Sequence, residues 1–109
     1  MRFDFEDIID KVGLVVNDFY SKNKTKCNIT VLKNNKSGYH TFIDFTNCVG
    51  EIVVDKPYCA PYRCVKMEVV SLCSVNCEFV YAWYDYDGCE TDTIISSIRL
   101  GLNLALQHG

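Results

Sequence analysis

The sequence predicts one α+β domain, a two-layer sandwich in which an antiparallel sheet of about five strands carries an N-terminal and a C-terminal helix, in the order α-β-β-β-β-β-α. Three observations lead there. The apolar residues recur with helical spacing at both chain ends and alternate with period two between them, which separates helix from strand by the face each must bury. The candidate strands follow one another mostly through short polar turns, and short turns join antiparallel neighbours, leaving two terminal helices free to pack on one face. Finally, 109 residues of which 49% are hydrophobic and 23% charged supply material for a single core, so 1–109 is read as one domain.

The first helix spans 4–20. Phe5, Ile8, Ile9, Val12, Val15, Val16, Phe19 and Tyr20 fall within about 140° of one face at 100° per residue. Asp4 is placed to cap the helix, with Asp7 in its first turn, and the polar, basic stretch 21–26 ends it. From 26 the period becomes two: Cys27, Ile29 and Val31 on one side, Asn28, Thr30 and Leu32 on the other. A turn at 34–38 leads to a return strand over 39–45. A five-residue turn sets Cys27, Ile29 and Val31 on the face of Thr41, Ile43 and Phe45, the register that buries the apolar set. A short third strand, 51–54, follows a break at 47–50. The loop 55–63 holds both prolines of the chain and two tyrosines, so it reads as a stiff surface connection.

Strands four and five run over 64–72 and 77–85. A three-residue turn at 74–76 stands Val65, Met67 and Val69 beside Trp83, Tyr81 and Phe79, which places those three aromatics in the core. The other face then carries Lys66, Glu68 and Val70 with Tyr84, Ala82 and Val80. Asp87-Gly88 closes the sheet, and Thr91 with Asp92 just inside begins a helix over 91–107. Its main stripe is Ile94, Ile95, Ile98, Leu102, Ala105 and Leu106. Leu100 and Leu104 lie on the opposite side, where a monomer normally carries polar residues, so a homodimer through them or through a sheet edge is expected. This element order is similar to that of type III secretion chaperones, which are small, acidic, cytoplasmic dimers. The proline loop stands where those proteins have a helix between strands three and four, no motif carries the likeness, and no functional residue is transferred.

A formal charge of −3 supplies no phosphate-neutralising surface and excludes an ordinary nucleic-acid binder. The N-terminus carries acids where a secretory signal needs a basic stretch and a long apolar run, and no apolar stretch reaches the roughly 18 residues of a membrane span, so a cytoplasmic protein is expected. Seven cysteines, at 27, 48, 59, 64, 73, 77 and 89, contain no Cys-x-x-Cys pair and leave an odd count. They read mostly as reduced, buried thiols, with Cys59/Cys64 and Cys73/Cys77 the pairs worth testing for a bond; no metal or other cofactor is implied.

Catalytic signatures are sparse. His40 and Asp44 share one strand face but lie about 13 Å apart at ~3.3 Å per residue, too far to act as a base and its orienter. Cys89, just before a helix, and Cys64, beside Arg63, are candidate nucleophiles without an identifiable base. Asp85-Tyr86-Asp87-Gly88 begins like a calcium loop, yet the closing acidic position falls at Ser96. What remains is aromatic: Tyr58, Tyr62, Tyr84 and Tyr86 are hard to bury, and with Arg63 they have the composition of interface anchors. His40 and Phe42 join them on the outer sheet face. The expected function is therefore that of a small acidic, non-enzymatic protein-binding module (inhibitor, immunity-type or chaperone-type) whose partner is another protein, basic by charge complementarity. The alternative is a small-molecule-binding or small catalytic domain with a pocket near the 55–63 loop and the 85–90 turn.

Overall fold

The computed structural model describes residues 5–55, 64–73, 78–86 and 89–108, and in it the N-terminal stripe forms α1 (Phe5–Lys22), which buries Ile8, Ile9, Val12, Val15, Val16 and Phe19. The helix runs two residues past the expected end. It stops where the Asn23 side chain donates to the Phe19 carbonyl at 2.8 Å and the Asn23 N–H donates to the Tyr20 carbonyl at 3.0 Å, satisfying acceptors that a helix end leaves open. Five strands follow: β1 (Asn28–Asn35), β2 (Gly38–Asp44), β3 (Cys48–Asp55), β4 (Val65–Ser71) and β5 (Phe79–Tyr84). The last element is α2 (Thr91–His108). The strands form one antiparallel sheet in the order β1-β2-β3-β4-β5.

Both helices pack on the same face, α1 over β1 and β2, α2 over β3, β4 and β5, and they touch each other. Alternate residues of the three central strands supply the sheet's side of the core, including Ile43, Ile52, Val54, Val65, Met67 and Val69; Ile94, Ile98, Leu102 and Ala105 supply α2's side. Between these layers α2 comes unusually close. A Cβ added at Gly101 would stand 2.5 Å from the Met67 Sδ and 2.7 Å from the Tyr81 ring, so the missing side chain is what lets the helix settle onto β4 and β5. The Tyr81 hydroxyl donates to the Ser97 carbonyl at 2.7 Å, fixing the ring against the helix it supports.

Three local readings of the sequence need correction. In the first hairpin the register is as the apolar pattern requires, Ile29 opposite Ile43 and Val31 opposite Thr41, but the turn is two residues long, not five. The Asn35 side chain accepts from the Ser37 N–H at 2.8 Å and from its hydroxyl at 2.6 Å, which tightens the turn. The surplus is absorbed by a register shift at Leu32, a bulge in β1. Val31 is then 44% exposed instead of buried, because β1 is an edge strand. Second, β3 starts at Cys48 rather than at 51. Gly50, read as part of a break, lies mid-sheet between Ile43 and Val69 and is paired on both sides.

Third, β5 pairs Met67 with Trp83 and Val69 with Tyr81 as expected, but the register then slips so that Phe79 lies opposite Val70 and Val80 is the surplus residue. Val80 packs against the core, whereas Phe79, expected inside, is 59% exposed. The bulge exchanges the two side chains between faces, an outcome that strict alternation cannot anticipate. Among the described residues no helix is long and apolar enough to cross a membrane.

Candidate functional site

The alternation that sends half of each strand toward the helices sends the other half to a face on which, among the described residues, no helix packs. A chain of polar contacts crosses that face from β2 to β5. His40 Nε2 lies 2.7 Å from Glu51 Oε2 on β3. The other oxygen of Glu51 lies 3.5 Å from Lys66 Nζ on β4, and Lys66 lies 3.4 Å from Glu68 on its own strand. Glu68 accepts in turn from the Tyr84 hydroxyl on β5.

The register explains why the chain must be continuous. Glu51 and Glu68 stand directly opposite each other on adjacent strands, an arrangement that is repulsive by itself. Lys66 sits between them and offsets it. Partial burial pulls the Lys66 ammonium down, but attraction to Glu51 and Glu68 outweighs that and leaves its pKa above the ordinary lysine value.

Around this ladder stand Phe42, Val49, Val53 and Val70, all half-buried, with Ala82 and the displaced Phe79 more exposed at the β5 side. The His40 and Phe42 rings lie 5.2 Å apart, tilted by 46°. Four carboxylates (Asp44, Glu51, Asp55 and Glu68) face two ammonium groups (Lys33 and Lys66) at outward positions of the register, an excess of two negative charges. The face is thus apolar, aromatic and acidic at once, a surface suited to a partner with apolar side chains and positive charge.

Of the residues singled out from the sequence, His40, Phe42 and Tyr84 meet on this face. Tyr86 does not; it is exposed beyond the end of β5, where repulsion from the neighbouring Cys89 raises its hydroxyl above the ordinary value. Tyr58, Tyr62 and Arg63 lie outside the described residues, as does most of the 55–63 loop beside which the alternative pocket was expected. The sequence pattern alone does not single out Glu51, and it puts Lys66 and Glu68 on this face without a role. The available signal was charge at alternate positions of otherwise apolar strands, which marks a half-exposed face.

In the 85–90 turn, Asp85 serves the fold. Asp85 is buried and accepts from the Cys64 and Val65 N–H groups at 2.8 and 3.0 Å, with the Cys64 thiol 3.5 Å away, so it pins the start of β4 instead of facing a calcium loop. Cys64 and Cys89 are both buried, unlike an accessible nucleophile. Burial also pushes the Cys27 and Cys48 thiols up, Cys48 further by its proximity to Cys73. Of the two pairs set aside for testing, Cys59 and Cys77 lie outside the described residues, while Cys73 is an exposed thiol. Among the described residues no three His, Cys, Asp or Glu side chains converge as metal ligands would. No protein-family model, no curated protein and no solved structure matches the chain.

Proposed function

We propose that this chain is a non-enzymatic protein-binding module, of inhibitor, immunity or chaperone type, that masks a surface of a partner protein with the open face of its sheet. The observation that carries the reading is the continuous His40–Glu51–Lys66–Glu68–Tyr84 ladder embedded in half-buried apolar side chains. Its charged groups hold one another in place before any partner arrives, which lowers the ordering cost of association. Five strands about 4.8 Å apart and about seven residues long span roughly 24 by 23 Å, a footprint close to that of a standard protein interface once side-chain relief is counted. The acidic excess favours a basic partner and speeds encounter with it. The cytoplasm is the proposed compartment, since the chain's many thiols fit a reducing one.

The test is capture from the native host with the unaltered chain and with Phe42→Asp and Glu68→Lys variants, each checked for native secondary structure. One dominant stoichiometric protein, retained by the unaltered chain and lost with both variants, is expected. A protein that emerges with a bound metabolite and no partner, or a partner indifferent to both substitutions, rejects the reading.

A further inference from the structure

Of the five free thiols among the described residues, four are buried and Cys73 alone is exposed. Spacing along the chain pairs Cys73 with Cys77, yet the fold carries it to a different thiol. Cys48 opens β3, and the register sets it directly across from Ser71, the last residue of β4. Pairing runs one residue further, where the Leu72 N–H donates to the Asn47 carbonyl at 2.8 Å. Cys73 follows at once, beyond that last bond.

Two further contacts fix where Cys73 goes. Its N–H donates to Ser71 Oγ at 3.2 Å, and the same oxygen lies 3.1 Å from His108 Nε2 at the end of α2. Its thiol donates to the Asn47 carbonyl over 3.9 Å. That carbonyl belongs to the peptide bond leading into Cys48, which by covalent geometry puts its oxygen about 2.8 Å from the Cys48 Cα and the Cys73 sulfur within about 7 Å of that Cα. Burial raises the Cys48 thiol above its ordinary value and Cys73 raises it further, so the two sulfurs stand near enough to interact. Cys48 itself is fully buried and donates to the Ala105 carbonyl of α2 at 3.5 Å. The two residues are thus diagonal neighbours across β3 and the end of β4, a relation that sets Cα atoms about 7–8 Å apart. A disulfide spans up to about 6.8 Å, so about 1 Å of closure joins them. Cys73 can supply it, since its N–H is held by a side chain and not by the sheet ladder.

We infer that Cys48 and Cys73 are a redox-active pair, converted to an intramolecular disulfide by low-molecular-weight disulfides, with Cys73 reacting first and Cys48 resolving. Access sets the order, because the exposed thiol meets the oxidant and the buried one does not. The Cys73 thiolate attacks one sulfur of the small disulfide. A bond to Cys73 forms, the small disulfide's own bond breaks, and the departing thiolate takes up the proton that Cys73 released. The Cys48 thiolate then attacks the Cys73 sulfur, the mixed disulfide breaks, and the second small thiolate leaves with the Cys48 proton. Two protein thiols have lost two electrons, and one small disulfide has become two thiols. The new bond ties the end of β4 to the start of β3 beside the C-terminus of α2. In a reducing compartment such a bond is transient, the form in which thiol pairs sense oxidation. Cys48 and Ser71 point toward α2, away from the open face, so the inference is independent of the partner-binding reading.

Treatment of the full chain with oxidised glutathione tests it, followed by blocking of the remaining thiols, proteolysis and peptide mass analysis without reductant. A linked peptide pair containing Cys48 and Cys73 is expected, with two thiols lost per chain. Before oxidation, iodoacetamide should label Cys73 at least about tenfold faster than Cys48. Cys48→Ala should stop at a mixed disulfide on Cys73, Cys73→Ser should leave Cys48 reduced, and Cys77→Ser should leave the Cys48–Cys73 link in place. The linked peptides come from the unaltered protein, so the test stands even where a variant fails to fold. A bridge from Cys73 to Cys77 or to any other cysteine, a mixed disulfide on Cys73 that persists in the unaltered chain, or survival of all the thiols overturns the inference.

Discussion

Two glycines in the helices make the same substitution act with opposite sign. Gly13 lies mid-way along α1, and a Cβ there would meet only the Tyr39 Cε1, at an ordinary 3.9 Å; Gly101 lies in α2, where a Cβ would overlap the Met67 sulfur at 2.5 Å and the Tyr81 ring at 2.7 Å. Replacing glycine by alanine in a helix interior returns about 1 kcal/mol at either site. At Gly13 nothing opposes that gain, so Gly13→Ala should raise stability by up to about 1 kcal/mol. At Gly101 contacts must open by about 1 Å to reach normal carbon separations. Met67 can rotate its sulfur away, but Tyr81 is tied to Ser97 on the same helix, so the strain falls on the spacing between α2 and the sheet. Overpacking of this kind costs about 1–3 kcal/mol.

Because the helix-propensity gain is common to both variants, the difference between them isolates the steric cost, about 1–3 kcal/mol with Gly101→Ala the less stable. Urea denaturation at one fixed protein concentration, with the m-value checked for constancy, measures that difference. In thermal melts it corresponds to roughly 4 °C per kcal/mol for a domain of this size. If Gly101→Ala equals or exceeds Gly13→Ala in stability, the close approach of α2 to β4 and β5 is not what holds glycine at 101, and the packing account of that helix is wrong.

Two further outcomes follow from buried groups. Among the described residues the buried Tyr39 hydroxyl has no hydrogen-bond partner; Thr41 tempers its pKa, yet the Thr41 hydroxyl donates to the Thr30 carbonyl at 3.0 Å. Tyr39→Phe should therefore leave the denaturation midpoint unchanged or raise stability by about 1 kcal/mol, since it removes an unsatisfied polar group and keeps the ring; a loss of that size would show the hydroxyl to be bonded. Alkali should destabilise the fold. Burial raises the Cys27 and Cys48 thiols above 9.0 and the Tyr39 and Tyr81 hydroxyls above 10.0, while Lys66, lowered by burial but raised more by Glu51 and Glu68, lies above 10.5. Above each ordinary value the unfolded chain has lost a proton that the folded chain keeps, so stability is complete below about pH 9 and falls as pH rises beyond it. Urea midpoints from pH 7 to 11 check the sign, and a rise above pH 9 contradicts it.

Element types and order were legible because each rests on periodicity sustained over many residues. The eight apolar positions of α1 and the alternation in β4 admit one assignment each. What could not be read were the places where one residue breaks the period. Leu32 and Val80 are single-residue bulges at the two edge strands, and nothing in the local pattern distinguishes a strand that bulges from one that does not. The consequence at Val80 was a reversal, since Phe79, the larger and more apolar side chain, is the one left outside. Gly50 misled in the other direction, because a glycine reads as a break unless its neighbours on both sides are known to pair.

The candidate site depended on the same kind of information. Sequence proximity pairs His40 with Asp44, the acid nearest on its own strand face, yet its partner is Glu51 on the next strand, 2.7 Å away. Glu51 and Glu68 are separated by the whole proline loop, and only the β3–β4 register sets them face to face, where Lys66 becomes necessary to hold both. Composition could say that aromatic and charged residues were left over after the core was filled. Cross-strand register turns those leftovers into a connected surface. That surface follows from one decision of the fold, to place its two helices on a single side of a five-stranded meander, which turns alternate residues of β2, β3 and β4 away from both helices.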